Sequence, residues 1–244
     1  MLSRDMDAIG SLIYDHHRGM PSAEVIERDD GWIGVSTGAP AYFAPYREWP
    51  LHQRRAIRHA RGTALDVGCG AGRVALHLQA QGHQVVAIDW SPLAIRTCRL
   101  RGVRDARVLP VTRVGRRLGE FDTIVMFGNN FGLFGNPRRA RWLLRRFRAI
   151  TPAGARIIVE STNPYHGAHA DHRRYHKLNR QRGRLSGQLR LRVCYGNLRT
   201  PWFDYLLVSP GEMRKIVAGT GWYVARMVPS RGRQYAAILE KTAV

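Results

Sequence analysis

Leu65-Asp66-Val67-Gly68-Cys69-Gly70-Ala71-Gly72-Arg73 reads as a short apolar strand that enters a tight glycine turn and leaves it as a helix. The helix shows its apolar face at Val74, Ala75 and Leu78 and meets its stop at Gly82. Glycine is needed where the backbone bends sharply and must approach a ligand with no Cβ in the way. A second strand, Val85-Val86-Ala87-Ile88, ends on Asp89, 21 residues after Gly68. An acid at that place can accept both hydroxyls of an adenosine ribose.

The spacing also discriminates between nucleotides. A dinucleotide fingerprint puts its third glycine at position 73, beneath a pyrophosphate, whereas this chain has Gly72 and then Arg73. Asp66, directly before the turn, suits an ammonium or sulfonium better than a pyrophosphate. The chemistry favours S-adenosylmethionine over NAD.

Around this unit, apolar strands and amphipathic segments alternate from about residue 62 onward, the pattern of a parallel sheet covered by helices. Ser91-Pro92 supplies an N-cap and a first helical residue. Further strands are expected at Ala106 to Leu109, Phe121 to Phe127 and Ala155 to Val159. Before the last of these, Ala140, Leu143, Leu144 and Phe147 form one helical face, and the opposite face of Arg138, Arg139, Arg141, Arg145, Arg146 and Arg148 is expected to be solvated. Ser209-Pro210-Gly211-Glu212 reads as a capping box opening a helix to about Ala218, followed by strands at Trp222 to Val228 and Gln234 to Glu240.

Two pieces stand outside the alternation. Residues 1–60 carry a helix-like stretch around Ile9, Leu12 and Ile13 and a hairpin from Val25 to Val35 turning at Asp30-Gly31. In residues 162–208, Leu189, Leu191, Val193 and Tyr195 alternate with Arg190, Arg192 and Cys194 as in a half-buried strand, which Gly196-Asn197 turns back. The expected organisation is an N-terminal cap over 1–60, a cofactor-binding core over 61–161 and 209–244, and a substrate roof over 162–208.

Composition bounds the rest. The 244 residues, 44% hydrophobic and 23% charged, suit one large α/β domain or two small ones. No apolar run reaches the length of a membrane-spanning helix, and Met1 to Asp7 lacks the apolar stretch of a signal peptide, so the expected address is the cytoplasm. Cys69, Cys98 and Cys194 are odd in number and far apart, which yields neither a disulfide framework nor a zinc site. The 39 Lys and Arg against 18 Asp and Glu give a net charge of +21, and only Lys177, Lys215 and Lys241 are lysines. Such basicity suits nucleic acid or anionic ligands, and a GC-rich coding sequence that fills solvated faces with arginine produces the same count.

The segment from Leu65 to Arg73, with Asp89 after it, resembles motif I of the class I S-adenosylmethionine-dependent methyltransferases, and the resemblance runs over roughly residues 60–161 and 209–241. It implies an α/β fold with a Rossmann-like, doubly wound seven-stranded sheet whose last strand, ending at Lys241, is antiparallel. It implies S-adenosyl-L-methionine as cofactor and S-adenosyl-L-homocysteine as product. By the family pattern Gly68, Gly70 and Gly72, with Cys69 among them, line the methionine moiety, Asp66 lies near its amino group, Asp89 binds the ribose and Trp90 packs on adenine. Val111 and Thr112 stand where the family usually has an adenine-contacting acid, a departure from the pattern. Met126-Phe127-Gly128-Asn129-Asn130-Phe131 ends the fourth strand and is similar to the corresponding run of glycine N-methyltransferase-like enzymes that act on small molecules. There Gly128 and Asn129 are expected on the cofactor and Asn130 on the substrate. The run does not match the Asn-Pro-Pro-Tyr motif of amino-group DNA methyltransferases.

Methyl transfer is a direct displacement, so the protein must hold a nucleophile in line and supply a base only where a proton has to leave. Of the aromatic cluster Tyr42, Phe43, Tyr46 and Trp49, Tyr42 is the one expected over the cofactor. His166 and His169 are the candidate bases in a His-rich run whose cationic neighbours, Arg173, Arg174 and Lys177, oppose a metal, and none is expected. Tyr205, as a further candidate catalytic group, and Asp204 orient an amine or hydroxyl, or else stitch the hairpin to the core. Arg190 and Arg192 lie near the expected opening, where they could select an anionic acceptor. The leading reading is a methyltransferase acting on a small molecule. An RNA methyltransferase and a non-catalytic S-adenosylmethionine-binding protein are the alternatives, with nucleic acid the second-choice partner and the oligomeric state unassigned.

Overall fold

The computed structural model describes residues 2–36 and 38–242, so the last two residues of the expected core, 243 and 244, lie outside the described residues. In chain order the elements are helix α1 (Ala8–His17), strands β1 (Val25–Arg28) and β2 (Ile33–Val35), helices α2 (Pro40–Phe43) and α3 (Leu51–Ile57), β3 (Ala64–Val67), α4 (Arg73–Ala80), β4 (Val85–Asp89), α5 (Pro92–Leu100), β5 (Asp105–Val108), β6 (Thr123–Met126), α6 (Pro137–Arg148), β7 (Arg156–Thr162), α7 (Ala170–Gln181), β8 (Gln188–Tyr195), β9 (Leu198–Arg199), β10 (Phe203–Leu206), α8 (Pro210–Val217), β11 (Trp222–Pro229) and β12 (Gln234–Lys241).

Because side chains alternate across a strand, β3 sends Leu65 and Val67 to one core cluster and Ala64 to the other. The first cluster packs against Leu143, Leu144 and Phe147 of α6 and Met213 and Ile216 of α8. The second packs against Ala56 and Ile57 of α3, Val74 and Leu78 of α4, and Ile95 and Cys98 of α5. A sheet buried on both faces is what near-continuous apolar strands demand. Its seven strands run in the order β11-β12-β7-β6-β3-β4-β5. Strands β3 to β7 pair in parallel, and the last strand, β12, lies antiparallel between β7 and β11, as the family resemblance implies.

The two outlying pieces combine. Strands β1 and β2 from the N-terminal segment join β8, β9 and β10 from the stretch after β7 in an antiparallel sheet of order β10-β8-β1-β2, with β9 paired to β8. Val25 faces Cys194 and Phe203 faces Leu191 across β8. Helix α1 then ties this sheet to the core through Asp7, which caps α1 at Gly10 N and accepts hydrogen bonds from Ser91 Oγ and Leu93 N at the start of α5.

Local signals are realised where they rest on backbone chemistry. Ser91 caps α5 with Pro92 next, and Ser209 and Glu212 form a complete capping box. The arginines of α6 differ from expectation. Arg139, Arg141, Arg146 and Arg148 donate to the carbonyls of Phe134, Lys215, Val114 and Gly221, so much of this face staples α6 to its neighbours rather than standing in solvent. The reason is that long, five-donor guanidiniums find unpaired carbonyls at nearby element ends.

Gly72 shows why the third glycine is there. Its φ is +79°, and an added Cβ would lie 2.7 Å from Val103 Cγ2 and 3.1 Å from Cys98 Sγ. The residue serves the approach of α4 to α5. Gly72→Ala is expected to cost roughly 2–4 kcal/mol, from left-handed strain plus overpacking, and a Tm measured within about 1 °C of wild type would contradict this packing.

Candidate active site

The glycine turn lies at the carboxyl end of β3. Gly68 and Gly70 take φ of +71° and +54°, and Gly68 N and Cys69 N donate to Ile88 O at the end of β4. Asn130 pins the turn from the other side, its Nδ2 donating to Val67 O and Gly68 O at 2.9 Å each. A Cβ on Gly68 would lie 2.5 Å from that amide, and one on Gly70 would lie 2.9 Å from the ring of Tyr42. Tyr42, on α2, therefore lies over the turn.

Asp89 ends β4 with each carboxylate oxygen holding one backbone donor: Oδ1 accepts from Ser91 N at 3.0 Å and Oδ2 from Gly70 N at 3.1 Å. Each oxygen keeps a further lone pair, so the carboxylate can take two hydroxyls. Burial pushes its carboxyl up, against the hydrogen bonds from Ser91 and Gly70. Asp66 is 2% exposed and accepts from Ala75 N in the first turn of α4. Burial raises its pKa to about 7, with the Arg73 charge opposing.

Behind the turn stands a carboxylate with no exposure at all. Glu160 on β7 accepts from His52 Nε2 at 2.5 Å, from Gln53 Nε2 at 2.9 Å, and through Oε2 from Gly128 N at 2.6 Å and Asn129 N at 3.1 Å. Burial works against ionisation, but the hydrogen bonds from His52 and Gln53 outweigh it and hold the carboxyl below its ordinary range. Gln53 in turn accepts from Arg73, whose guanidinium lies 4.6 Å from the centroid of the Trp49 ring. Gly128 and Asn129 take consecutive left-handed conformations, φ +75° and +62°, and Asn129 is the one non-glycine with positive φ among the described residues. Asn129 Oδ1 accepts from Thr162, and Tyr205 OH donates to Asn129 O at 2.7 Å.

The second sheet closes the space above. Tyr205 of β10 lies so near Gly132 that a Cβ there would meet its ring at 2.2 Å. Glu24, just before β1, is 6% exposed and is hydrogen-bonded by Ser36 and Tyr42. Burial pushes its carboxyl up, and among the described residues it has no ion-pair partner. Burial also raises Tyr42 well above the ordinary phenol, and the nearby Glu24 and Asp89 carboxyls push it the same way. The chamber thus gathers Glu24, Asp89, Tyr42 and Tyr205, with the Arg73 charge acting on Tyr42 in the opposite sense.

Of the residues expected here, Asp89, Gly68, Gly70, Gly128, Asn129, Asn130, Tyr42 and Tyr205 converge, though Asn130 and Tyr205 direct their donors to backbone carbonyls. Gly72 faces Val103 and Cys98, and Cys69 Sγ lies 3.6 Å from Cys98 Sγ. Trp90 meets Phe203 of the second sheet edge-on at 6.3 Å. Val111 and Thr112 sit on a 3-10 turn after β5, Val111 against the core and Thr112 exposed. His166 and His169 are exposed, and the His169 ring packs on His172. Arg190 pairs with Asp204 at 3.3 Å, and Arg192 pairs with Glu27 at 2.5 Å while covering Trp202. Among the described residues no cluster of three or more His, Cys, Asp or Glu could hold a metal ion, and no helix is long and apolar enough to cross a membrane.

The sequence reading missed Glu160, Gln53, Arg73 and Glu24. For Glu160 a signal existed, since a lone acid follows the apolar run Ile157-Ile158-Val159 of a core strand much as Asp89 follows Ile88. Glu24 has none, because its burial comes from Ser36 and Tyr42 rather than from its neighbours in sequence.

Comparison with known proteins agrees with this geometry. A family profile described as a methyltransferase domain matches residues 64–154. A glycine/sarcosine N-methyltransferase from Parasynechococcus marenigrum (strain WH8102) is 26% identical over 156 residues, 61% of this chain, and the match spans about half (53%) of that relative's length. The crystal structure of an S-adenosylmethionine-dependent methyltransferase from Bacteroides fragilis, in complex with S-adenosyl-L-homocysteine, superposes with a TM-score of 0.83 at 26% identity, covering 100% of this chain and 98% of that one. The CcbJ methyltransferase from Streptomyces caelestis shares the fold at 14% identity, with a TM-score of 0.65 over 98% of this chain and 99% of its own.

Two outcomes test this arrangement. Glu160→Ala strands four donors in the interior, and is expected to cost roughly 3–5 kcal/mol and to lower Tm by about 10 °C; an unchanged Tm would remove its role as a hub. A carboxyl raised to about 7 when folded keeps its proton between pH 4 and 7 while the unfolded chain has lost it, so Asp66 makes stability fall as pH rises through that window. Asp66→Asn should therefore match wild type in Tm near pH 4 and exceed it at pH 8, and equal pH profiles would contradict the burial of the charge.

Proposed function

We propose that this chain, which belongs to the class I S-adenosylmethionine-dependent methyltransferases, transfers the methyl group to an amine nitrogen of a small-molecule acceptor held beneath the second sheet. The observation that carries the acceptor assignment is Glu24: a buried carboxylate beside Tyr42 with no ion-pair partner among the described residues. A buried carboxylate is costly without a counter-charge, and a cationic ligand supplies one.

The residues fit the cofactor. Gly68 and Gly70 hold the left-handed φ that closes the turn beside Asp89, and the two open lone pairs on Asp89 match two ribose hydroxyls. When bound, S-adenosylmethionine supplies a methyl group already activated on a sulfonium, so no further activation is asked of the protein. What remains is alignment and the fate of one proton. Tyr42 and Tyr205 wall the chamber, and Glu24 takes the proton that an ammonium must lose before its nitrogen lone pair can attack. The glycine/sarcosine N-methyltransferase named above also acts on nitrogen, which supports the same acceptor class. An anionic acceptor finds less here, because Arg190 and Arg192 are already engaged by Asp204 and Glu27.

The test separates cofactor from acceptor. Calorimetric titration should show binding of S-adenosylmethionine and S-adenosylhomocysteine but not NAD, and Asp89→Ala should abolish it. Transfer to glycine, sarcosine and simple alkylamines should then exceed transfer to phenols and carboxylates of similar size. Glu24→Gln should leave affinity for S-adenosylhomocysteine within about threefold and lower turnover on those amines by about 100-fold or more. Cofactor binding with transfer only to phenols or carboxylates would overturn the amine assignment, and failure to bind either nucleoside would overturn the whole reading.

A further inference from the structure

The net charge of +21 is unevenly placed. Along strand β5, at the free edge of the seven-stranded sheet, one surface trough is lined by five arginines: Arg107 on β5, Arg113, Arg116 and Arg117 on the two 3-10 turns that follow it, and Arg146 on α6. No acidic side chain lines it among the described residues. Arg107 is paired with Asp105 at 2.6 Å, just outside. Arg113, Arg116 and Arg117 are exposed, and none joins an ion pair or donates a side-chain hydrogen bond among the described residues. They differ in this from the stapling arginines of α6, whose guanidiniums are used by the fold. Like charges gathered on one short segment repel one another, and a polyanion relieves that repulsion.

A second feature narrows the partner. Arg146 donates to Val114 O and lies 4.9 Å from the ring centroid of Trp142, one turn earlier on α6. Trp142 is 42% exposed, an unusual place for an indole that serves no core. A track of guanidiniums beside an exposed aromatic ring is the combination that holds single-stranded nucleic acid, with phosphates along the cations and a base stacked on the ring. A duplex hides its base faces, and an acidic protein surface has no matching use for the ring.

We propose that this trough binds single-stranded nucleic acid, its phosphates lying along Arg113, Arg116 and Arg117 and one base stacking on Trp142. The trough shares no lining residue with the chamber over the glycine turn, although Leu109 of its lining donates to Asp89 O, and its binding does not depend on what is methylated there.

Fluorescence anisotropy of the full chain with a labelled 20-nucleotide oligouridine, across 50–200 mM KCl, tests the assignment. Single-strand contacts contribute a log–log salt slope of about 0.7 each, so Arg113→Gln/Arg116→Gln/Arg117→Gln should flatten the slope by about 2 and weaken binding by about 100-fold at 100 mM KCl. An equal charge removal elsewhere, Arg58→Gln/Arg173→Gln/Arg231→Gln, should change affinity by less than about threefold. Trp142→Ala should weaken oligouridine binding by about tenfold and leave binding to heparin, a polyanion without bases, unchanged. Equal losses from the two triple variants would overturn the site in favour of diffuse charge. A Trp142→Ala variant that weakens both ligands alike, or neither, would overturn nucleic acid in favour of a plain polyanion such as an acidic protein.

Discussion

Everything around the candidate site depends on one carboxylate that never meets water. Glu160 gathers donors from α3 and from the turn after β6, and through Gln53 it reaches Arg73 at the start of α4. An ionised group in the interior is tolerated only when its lone pairs are filled, and here four donors fill them. The consequence is conformational. Gly128 and Asn129 are held in left-handed geometry by the two N–H bonds to Oε2, and that geometry lets Asn130 reach back to the carbonyls of Val67 and Gly68. The glycine turn is thus clamped from the β6 side by a residue three strands' worth of sequence away.

The chamber above the turn is assembled from segments distant in sequence. Tyr42 comes from α2 and Glu24 from the start of the N-terminal hairpin, while Tyr205 comes from β10 beyond the fifth core strand. They meet because β1 and β8 pair, Val25 opposite Cys194 and Arg28 opposite Leu191. Three small ties keep the roof in place. Asp7 joins α1 to the start of α5, Tyr195 OH donates to Asp15 at 3.0 Å, and the buried Arg28 joins Asp30 and His172. The roof therefore brings carboxylates and phenols to the site, and its arginines turn to partners within their own sheet.

What could be read from the sequence follows from the range of the forces involved. The glycine turn, the acid ending β4 and the capping box at Ser209 rest on local backbone chemistry, and each stands where the residues put it, while the antiparallel last strand followed from the family resemblance alone. The joint sheet escaped because strand pairing between residues 25 and 194 leaves no local mark. Asn130 and Tyr205 were found as polar residues near the site, yet their donors serve backbone carbonyls, those of Val67 and Gly68 at the end of β3 and that of the left-handed Asn129. The α6 arginines looked like a uniform solvated stripe, and the structure divides them by whether a carbonyl lies within reach.

The central claim is that the glycine turn and the second sheet enclose one cofactor, with its reactive sulfur facing the Glu24–Tyr42 pair. A crystal structure of the full chain with S-adenosyl-L-homocysteine tests this most directly. The account predicts both ribose hydroxyls within hydrogen-bonding distance of Asp89, and the sulfur between Gly70 and the space bounded by Glu24, Tyr42 and Tyr205. A nucleoside bound away from Asp89, or a sulfur turned away from the second sheet, would contradict it.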